Sequence, residues 1–90
     1  MWIITRDYFD EIDWRAGIHS LDYDAEIFAQ TDTLPIRLLD DDGVLVYEAV
    51  ATRERIEDYE DRALALLDWA MADAGCTELQ FFDKGEWQTL

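Results

Sequence analysis

The middle of the chain predicts a β-hairpin, and this prediction limits the fold more than any other feature of the sequence. Two runs rich in apolar residues, Leu34–Asp40 and Val44–Ala51, flank the pair Asp42-Gly43. Asp-Gly pairs favour the type I′ turn, whose twist matches that of the strands on either side. The sequence therefore predicts two antiparallel strands joined by a type I′ turn, with Pro35 near a strand start or a sheet edge.

A helical pattern follows the hairpin. Apolar residues recur at steps of three and four, which places them on one face of a helix that runs to about Ala74. Thr52 is predicted to cap this helix at its start, and Gly75 is predicted to end it in the left-handed conformation. The predicted apolar face consists of Ile56, Tyr59, Ala63, Leu66, Leu67, Ala70, Met71 and Ala74.

Shorter strands are predicted near both ends of the chain. The residues from Trp2 to Thr5 are strand formers, and the strand is expected to continue towards Tyr8. Glu78 to Phe82 and Trp87 to Thr89 are predicted to pair through a glycine-containing turn between them.

Residues 9–33 show the least regular pattern. We interpret them as a long ordered loop that wraps an edge of the sheet, with a short helix over Asp24–Gln30. Trp14, Tyr23 and Phe28 lie in this loop among acidic residues. Two interpretations of these aromatic side chains stay open: they anchor the loop to the core, or they take part in a partner contact.

Together these elements predict the fold class α+β. We expect a single two-layer domain over residues 1–90, with an antiparallel sheet of four to five strands and one main helix packed on one face. Half of the residues are apolar, and 90 residues are enough to bury a modest core.

Charge is the feature that bears most on function. The chain has 22 Asp and Glu against seven Lys and Arg, which gives a formal net charge of −15. A surface of this sign repels nucleic acids and anionic membranes and attracts basic grooves, which are common in proteins that bind DNA or RNA. We therefore expect a basic protein partner, with no direct binding of nucleic acid or membrane.

The candidate partner-binding residues are acidic and fall in two stretches of the chain. The segment from Asp7 to Asp32 is the richer one, and the hairpin turn is predicted to form an anionic projection. An ordinary solvated surface is the alternative for both stretches. The candidates are Asp7, Asp10, Glu11, Asp13, Asp22, Asp24, Glu26, Asp40, Asp41 and Asp42.

No pattern of catalytic residues stands out, so we expect no enzymatic activity, no metal site and no cofactor. His19 has no obvious companion, and Cys76 is predicted to be a buried thiol. The sequence contains no Gly-rich phosphate loop and no Cys/His metal spacing. The single cysteine excludes an intrachain disulfide, and the absence of a long apolar run predicts a cytoplasmic protein.

Three stretches of the chain resemble a group of small, uncharacterised acidic proteins carried by bacterial plasmids and prophages. These stretches are Trp2–Tyr8, Arg37–Gly43, and Gly75–Phe82 together with Gly85, Trp87 and Leu90. The resemblance covers the two ends and the central hairpin, and leaves residues 9–33 and the helix outside it. It implies a mobile genetic element as the context and the host cytoplasm as the location.

Small acidic proteins of phages and plasmids include nucleic-acid mimics, such as anti-CRISPR and anti-restriction proteins. The resemblance and the charge together favour an inhibitor that fills the DNA-binding surface of a host defence complex, above all of a multisubunit CRISPR surveillance complex. The alternatives are an acidic interaction module with a different basic partner, and a housekeeping domain of a halophile. A homodimer formed through an exposed strand edge also stays open.

Overall fold

The computed structural model describes residues 1–8, 15–53 and 64–90. Within these ranges five strands form one antiparallel sheet in the order β1-β3-β2-β4-β5. The strands are β1 (Trp2–Asp7), β2 (Thr33–Leu39), β3 (Leu45–Thr52), β4 (Glu78–Asp83) and β5 (Glu86–Thr89), and the helices are α1 (Ala25–Ala29) and α2 (Leu64–Ala74). The predicted α+β fold is confirmed. No helix in the described ranges is long and apolar enough to span a membrane.

The central hairpin forms where the sequence predicts it, but the prediction of a type I′ turn is wrong. That turn needs a positive φ at both central residues, whereas Gly43 (φ 75°) has one and Asp42 has none. Gly43 N donates to Asp40 O at 3.0 Å, and Asp40 N donates to Val44 O at 3.0 Å. The connection is therefore a type I turn over Asp40–Gly43, followed by closure of the ladder at Val44.

The side chain of Asp40 explains this choice of turn. Its Oδ1 accepts hydrogen bonds from the backbone N–H groups of Asp42 and Val44, both at 2.9 Å. Aspartate is favoured at the first position of a type I turn because its carboxylate can accept from the residues that follow. The type I′ geometry occurs instead between β4 and β5, where Lys84 (φ 54°) and Gly85 (φ 81°) form a two-residue loop.

The hydrophobic core lies between one face of the sheet and α2. Leu66 and Ala70 of α2 are fully buried. Trp69 packs against Trp2 and Tyr47, with ring centroids 5.6 and 5.4 Å apart. The buried residues contributed by the strands are Trp2, Ile4, Leu34, Ile36, Leu38, Val46, Tyr47, Ala49, Ala51 and Leu79.

The predicted apolar face of the helix is confirmed only in part. Met71 is 48 % exposed, and Trp69, which the prediction left out, packs against the core instead. A tryptophan ring buries more apolar area than a methionine side chain, so the helix turns it towards the sheet. Gly75, with φ 72°, ends the helix as predicted. The predicted positions Ile56, Tyr59 and Ala63, and the start of the helix, lie outside the described residues.

The predicted short helix is confirmed as α1. Asp24 caps its start, since Oδ1 of this residue accepts from the backbone N–H groups of Glu26 at 3.0 Å and Ile27 at 3.2 Å. Gln30 caps its end.

The segment before α1 covers the outer edge of β1. Ile4 N donates to Ile18 O at 2.8 Å, and Gly17 N donates to Ile4 O at 2.8 Å. Ser20 N donates to Trp2 O at 3.0 Å. These bonds satisfy backbone groups that an edge strand otherwise exposes to solvent. The loop thus wraps a sheet edge as predicted, although its residues 9–14 lie outside the described ranges.

Replacing Asp40 with alanine should lower the free energy of unfolding by about 1–2 kcal/mol, because two backbone N–H groups lose their acceptor. Urea denaturation followed by circular dichroism measures this change. Asp40→Asn keeps an oxygen at the same position and should retain most of the stability. Asp41→Ala removes a neighbouring exposed carboxylate and is the matched control. Equal losses in Asp40→Ala and Asp41→Ala would contradict the structural role of the Asp40 carboxylate.

Candidate functional site

The seven candidate acids that the structure describes do not form one continuous patch. We call the end of the sheet at which β2 begins the α1 end. Its candidate acids are Asp22, Asp24 and Glu26, and Asp32 lies at the same end. We call the opposite end, with Asp40, Asp41, Asp42 and Glu78, the tip end. The seven residues of β2, at a rise of about 3.4 Å each, separate the two ends by about 24 Å. Three candidates, Asp10, Glu11 and Asp13, lie outside the described residues.

Asp7 is the one described candidate that the structure removes from the accessible surface. It is 4 % exposed, and Oδ2 of this residue accepts from the backbone N–H of Arg15 at 3.4 Å. An irregularity of β1 between Ile4 and Arg6 places Asp7 opposite Tyr47, on the core face. Asp7 therefore belongs to an internal network and cannot present its carboxylate to a partner.

Arg15 is the centre of that network. Its Nε lies 2.6 Å from Oδ2 of Asp73 on α2, and its Nη1 lies 3.8 Å from Oδ2 of Asp7 on β1. The Tyr47 hydroxyl on β3 donates to the same oxygen of Asp73 at 2.6 Å. The network thus joins the edge segment to β1, β3 and α2. Sequence reasoning missed it because Arg15 and Asp73 are 58 residues apart and no local pattern links them.

Acids at the α1 end are partly used in structural contacts. Asp24 caps α1, and Oδ2 of Asp22 lies 3.5 Å from the amine of Met1. Arg53 bridges two carboxylates, with Nε 2.5 Å from Asp32 and Nη1 3.1 Å from Asp83. These hydrogen bonds raise the pKa of the Arg53 guanidinium.

Aromatic side chains stabilise the α1 end from within. Tyr23 stacks on His19 with ring centroids 4.6 Å apart, and it meets the edge of Phe28 at 5.3 Å. Tyr23 and Phe28 therefore pack against each other, while Trp14 lies outside the described residues. Leu21 is fully exposed and Ile27 is 56 % exposed, so this end presents apolar side chains beside its acids.

Carboxylates at the tip end have no cationic partner within the described ranges. Asp41 and Asp42 are exposed, and neither they nor Asp40 form an ion pair with any Arg or Lys that the structure describes. Glu78 adds a fourth carboxylate, because β4 pairs it with Leu39 immediately before the turn. The hydrogen bonds to Asp40 fix the backbone of the turn that carries Asp41 and Asp42.

The chemistry of the described residues gives no sign of a metal site or a reactive thiol. No group of His, Cys, Asp and Glu in these ranges is arranged to hold a metal ion. Cys76 is fully buried, as predicted, and burial raises the pKa of its thiol to about 11, with further contributions from the charges of Asp40 and Asp73. The thiol is therefore protonated at neutral pH and lacks the nucleophilicity of a thiolate.

Comparison of the chain with protein-family models, with curated proteins and with solved structures gives no match.

The free energy of unfolding should fall at alkaline pH because the Tyr47 phenol ionises more readily in the unfolded chain than in the folded protein. Burial, and then the hydrogen bond to Asp73, raise the pKa of this phenol. The neutral phenol therefore contributes stability that is fully present below about pH 10, the ordinary tyrosine value, and is lost as the pH rises towards the folded-state pKa. Between about pH 9 and pH 11 the wild type should lose up to about 1.4 kcal/mol per pH unit more than Tyr47→Phe.

Urea titrations at each pH measure this difference in slope. Tyr23→Phe is the matched control for loss of a phenol hydroxyl, because Tyr23 lies outside the Arg15 network. Identical slopes for the wild type and Tyr47→Phe would show that Tyr47 does not couple folding to pH.

Proposed function

We propose that this protein is a non-enzymatic acidic inhibitor that mimics DNA. It occupies the basic DNA-binding surface of a host defence complex and blocks binding of target DNA. A multisubunit CRISPR surveillance complex in the cytoplasm of a bacterial host is the favoured target. One observation carries this proposal: exposed carboxylates at the tip end lack cationic partners among the described residues, because the described arginines serve structural contacts elsewhere.

Three of the described arginines make contacts that hold the fold together. Arg15 joins the edge segment to Asp73, and Arg53 joins Asp32 to Asp83. Arg37 lies over the ring of Trp87, with Cζ 3.6 Å from the ring centroid. Each of these cations holds two parts of the fold together. Asp41 and Asp42, which are exposed, have no cationic partner among the described residues.

The turn that carries the tip-end acids is held in one conformation. The carboxylate of Asp40 is held by two backbone N–H groups, and this fixes the turn that carries Asp41 and Asp42. A binding surface that is already ordered loses less conformational entropy on association. The two acidic ends lie about 24 Å apart along β2, so a basic groove that binds several base pairs of DNA is long enough to contact both.

The α1 end also exposes apolar side chains. Leu21 and Ile27 lie beside the acids of the α1 end. Apolar anchors surrounded by polar groups are typical of protein–protein interfaces, and a phosphate backbone has no equivalent. They support a protein as the partner. They also support the alternative function, an acidic interaction module with a basic partner that is not a DNA-binding complex.

Displacement of DNA tests the proposed function directly. A fluorescein-labelled target duplex is bound to a purified CRISPR surveillance complex loaded with its guide RNA, and fluorescence anisotropy follows displacement by the protein. The wild type should displace the duplex, and less effectively as salt increases. Asp41→Lys combined with Asp42→Lys should raise the half-inhibitory concentration about tenfold or more, because two anionic contacts are reversed.

Asp68→Lys combined with Ala65→Lys and Ala72→Lys is the matched control. All three residues are exposed on α2, and the set changes the net charge from −15 to −11, as the tip-end pair does, since Asp to Lys adds two and each Ala to Lys adds one. The control set should shift the half-inhibitory concentration by less than about threefold. A complex that keeps its duplex at saturating wild-type protein would refute inhibition of this target. Binding to the complex without displacement would favour the interaction module.

A further inference from the structure

The sheet face opposite α2, which we call the open face, carries a second surface with its own chemistry. Alternation along the strands places Arg6, Pro35, Arg37 and Glu48 on this face, together with Phe82 and Trp87. Phe82 and Trp87 are 37 % and 38 % exposed, and their rings meet at 5.3 Å. A groove of about 350 Å³ lies between Arg37, Glu48 and Trp87, with Pro35 and Val50 in its lining.

A row of charged side chains crosses the open face. The strand registers pair Arg6 with Glu48, Glu48 with Arg37, and Arg37 with Gln80. The side chains of the row are therefore positively charged on β1, negatively charged on β3, positively charged on β2 and neutral on β4. Neighbouring members lie about 5 Å apart across the strands.

Arg37 and Glu48 are register partners, yet they form no ion pair with each other. The guanidinium of Arg37 is drawn to the ring of Trp87, and its buried Nε has no hydrogen-bond partner among the described residues. Oε1 of Glu48 accepts instead from the Tyr8 hydroxyl at 2.8 Å, on the opposite side. The two charges are thus turned away from each other, with the groove between them.

We infer that the open face is the interface of a homodimer, in which Arg37 of each copy pairs with Glu48 of the other. A two-fold axis parallel to the strands, between β2 and β3, places the row of one copy over the row of the second. Arg37 then faces Glu48 and Glu48 faces Arg37, so the row is complementary to itself. Two sheets stacked face to face lie about 10 Å apart, a distance that an arginine and a glutamate span together.

Charge balance favours a second copy over an acidic or a basic partner. Among the described residues, the charged side chains of the open face are Arg6 and Arg37 against Glu48 and Glu78, which sum to zero, whereas the whole chain carries −15. This face is therefore the part of the described surface on which a second acidic copy meets little repulsion. At about 0.15 M salt the Debye length of about 8 Å screens the acids at the two ends of the sheet.

The size of the face sets the expected affinity. The two-fold axis between β3 and β2 overlays four strands, β1 to β4, which lie about 4.8 Å apart and are about 20 Å long, and this gives a flat footprint of about 400 Å². Projecting side chains make the accessible area larger than the footprint, but it stays near the lower end of the area that specific interfaces bury. We therefore expect a dissociation constant in the micromolar range.

Analytical ultracentrifugation at about 0.15 M salt tests the dimer, with the full chain at concentrations from about 5 to about 500 µM. The wild type should form a dimer. Arg37→Glu and Glu48→Arg should each weaken it about tenfold or more, because like charges then face each other. The double variant R37E/E48R exchanges the charges and should restore dimerisation to within about threefold of the wild type.

The two single variants control for net charge. Arg37→Glu makes the chain more negative, at −17, and Glu48→Arg makes it less negative, at −13, while the double variant keeps −15. Near-ultraviolet circular dichroism checks that each variant folds, and Arg37→Gln replaces Arg37→Glu if the latter does not. A wild type that stays monomeric throughout would overturn the inference. Single variants that dimerise as tightly as the wild type, or a folded double variant that stays monomeric, would do the same.

Discussion

Cations are scarce in this chain, and their placement decides what the acidic residues are able to do. Seven Lys and Arg stand against 22 Asp and Glu. Arg15 ties the edge segment to Asp73 of α2, and Arg53 ties Asp32 to Asp83 of β4. Both contacts join parts of the fold that are distant in sequence. Since these arginines serve the fold, Asp41 and Asp42 at the hairpin tip face solvent without a cationic partner among the described residues, and repulsion between like charges destabilises the folded state.

The same placement separates the surface into regions of different character. Negative charge gathers at the two ends of the sheet, where Asp41 and Asp42 are at the tip and Glu26 is on α1. The open face carries balanced charge, with Arg37 held over Trp87 and Glu48 held by Tyr8. A dimer through the open face would leave the acidic ends of both copies accessible. The proposed inhibitor depends on Asp41 and Asp42, and the inferred dimer depends on Arg37 and Glu48, so the two proposals do not exclude each other.

Local features were predictable from the sequence because they depend on neighbouring residues. The start of α1 follows from Asp24, which accepts from backbone groups two and three residues on, and the end of α2 follows from Gly75, which adopts positive φ without strain. The turn type was predicted wrongly, although it is also local. The Asp-Gly rule neglects the carboxylate of Asp40, which accepts two backbone N–H groups and favours a type I turn.

The sequence by itself determined the strands, α1, the end of α2 and the acidic character, since these depend on periodicity, short-range hydrogen bonds and composition. Only the tertiary structure decided which acids reach the surface. Asp7 is buried beside Arg15 because an irregularity of β1 between Ile4 and Arg6 places it on the core face, whereas strict alternation from Ile4 would place it on the open face. The physical reason is that burial and ion pairing depend on contacts between residues far apart in sequence, and strand register and helix packing create those contacts only when the chain folds.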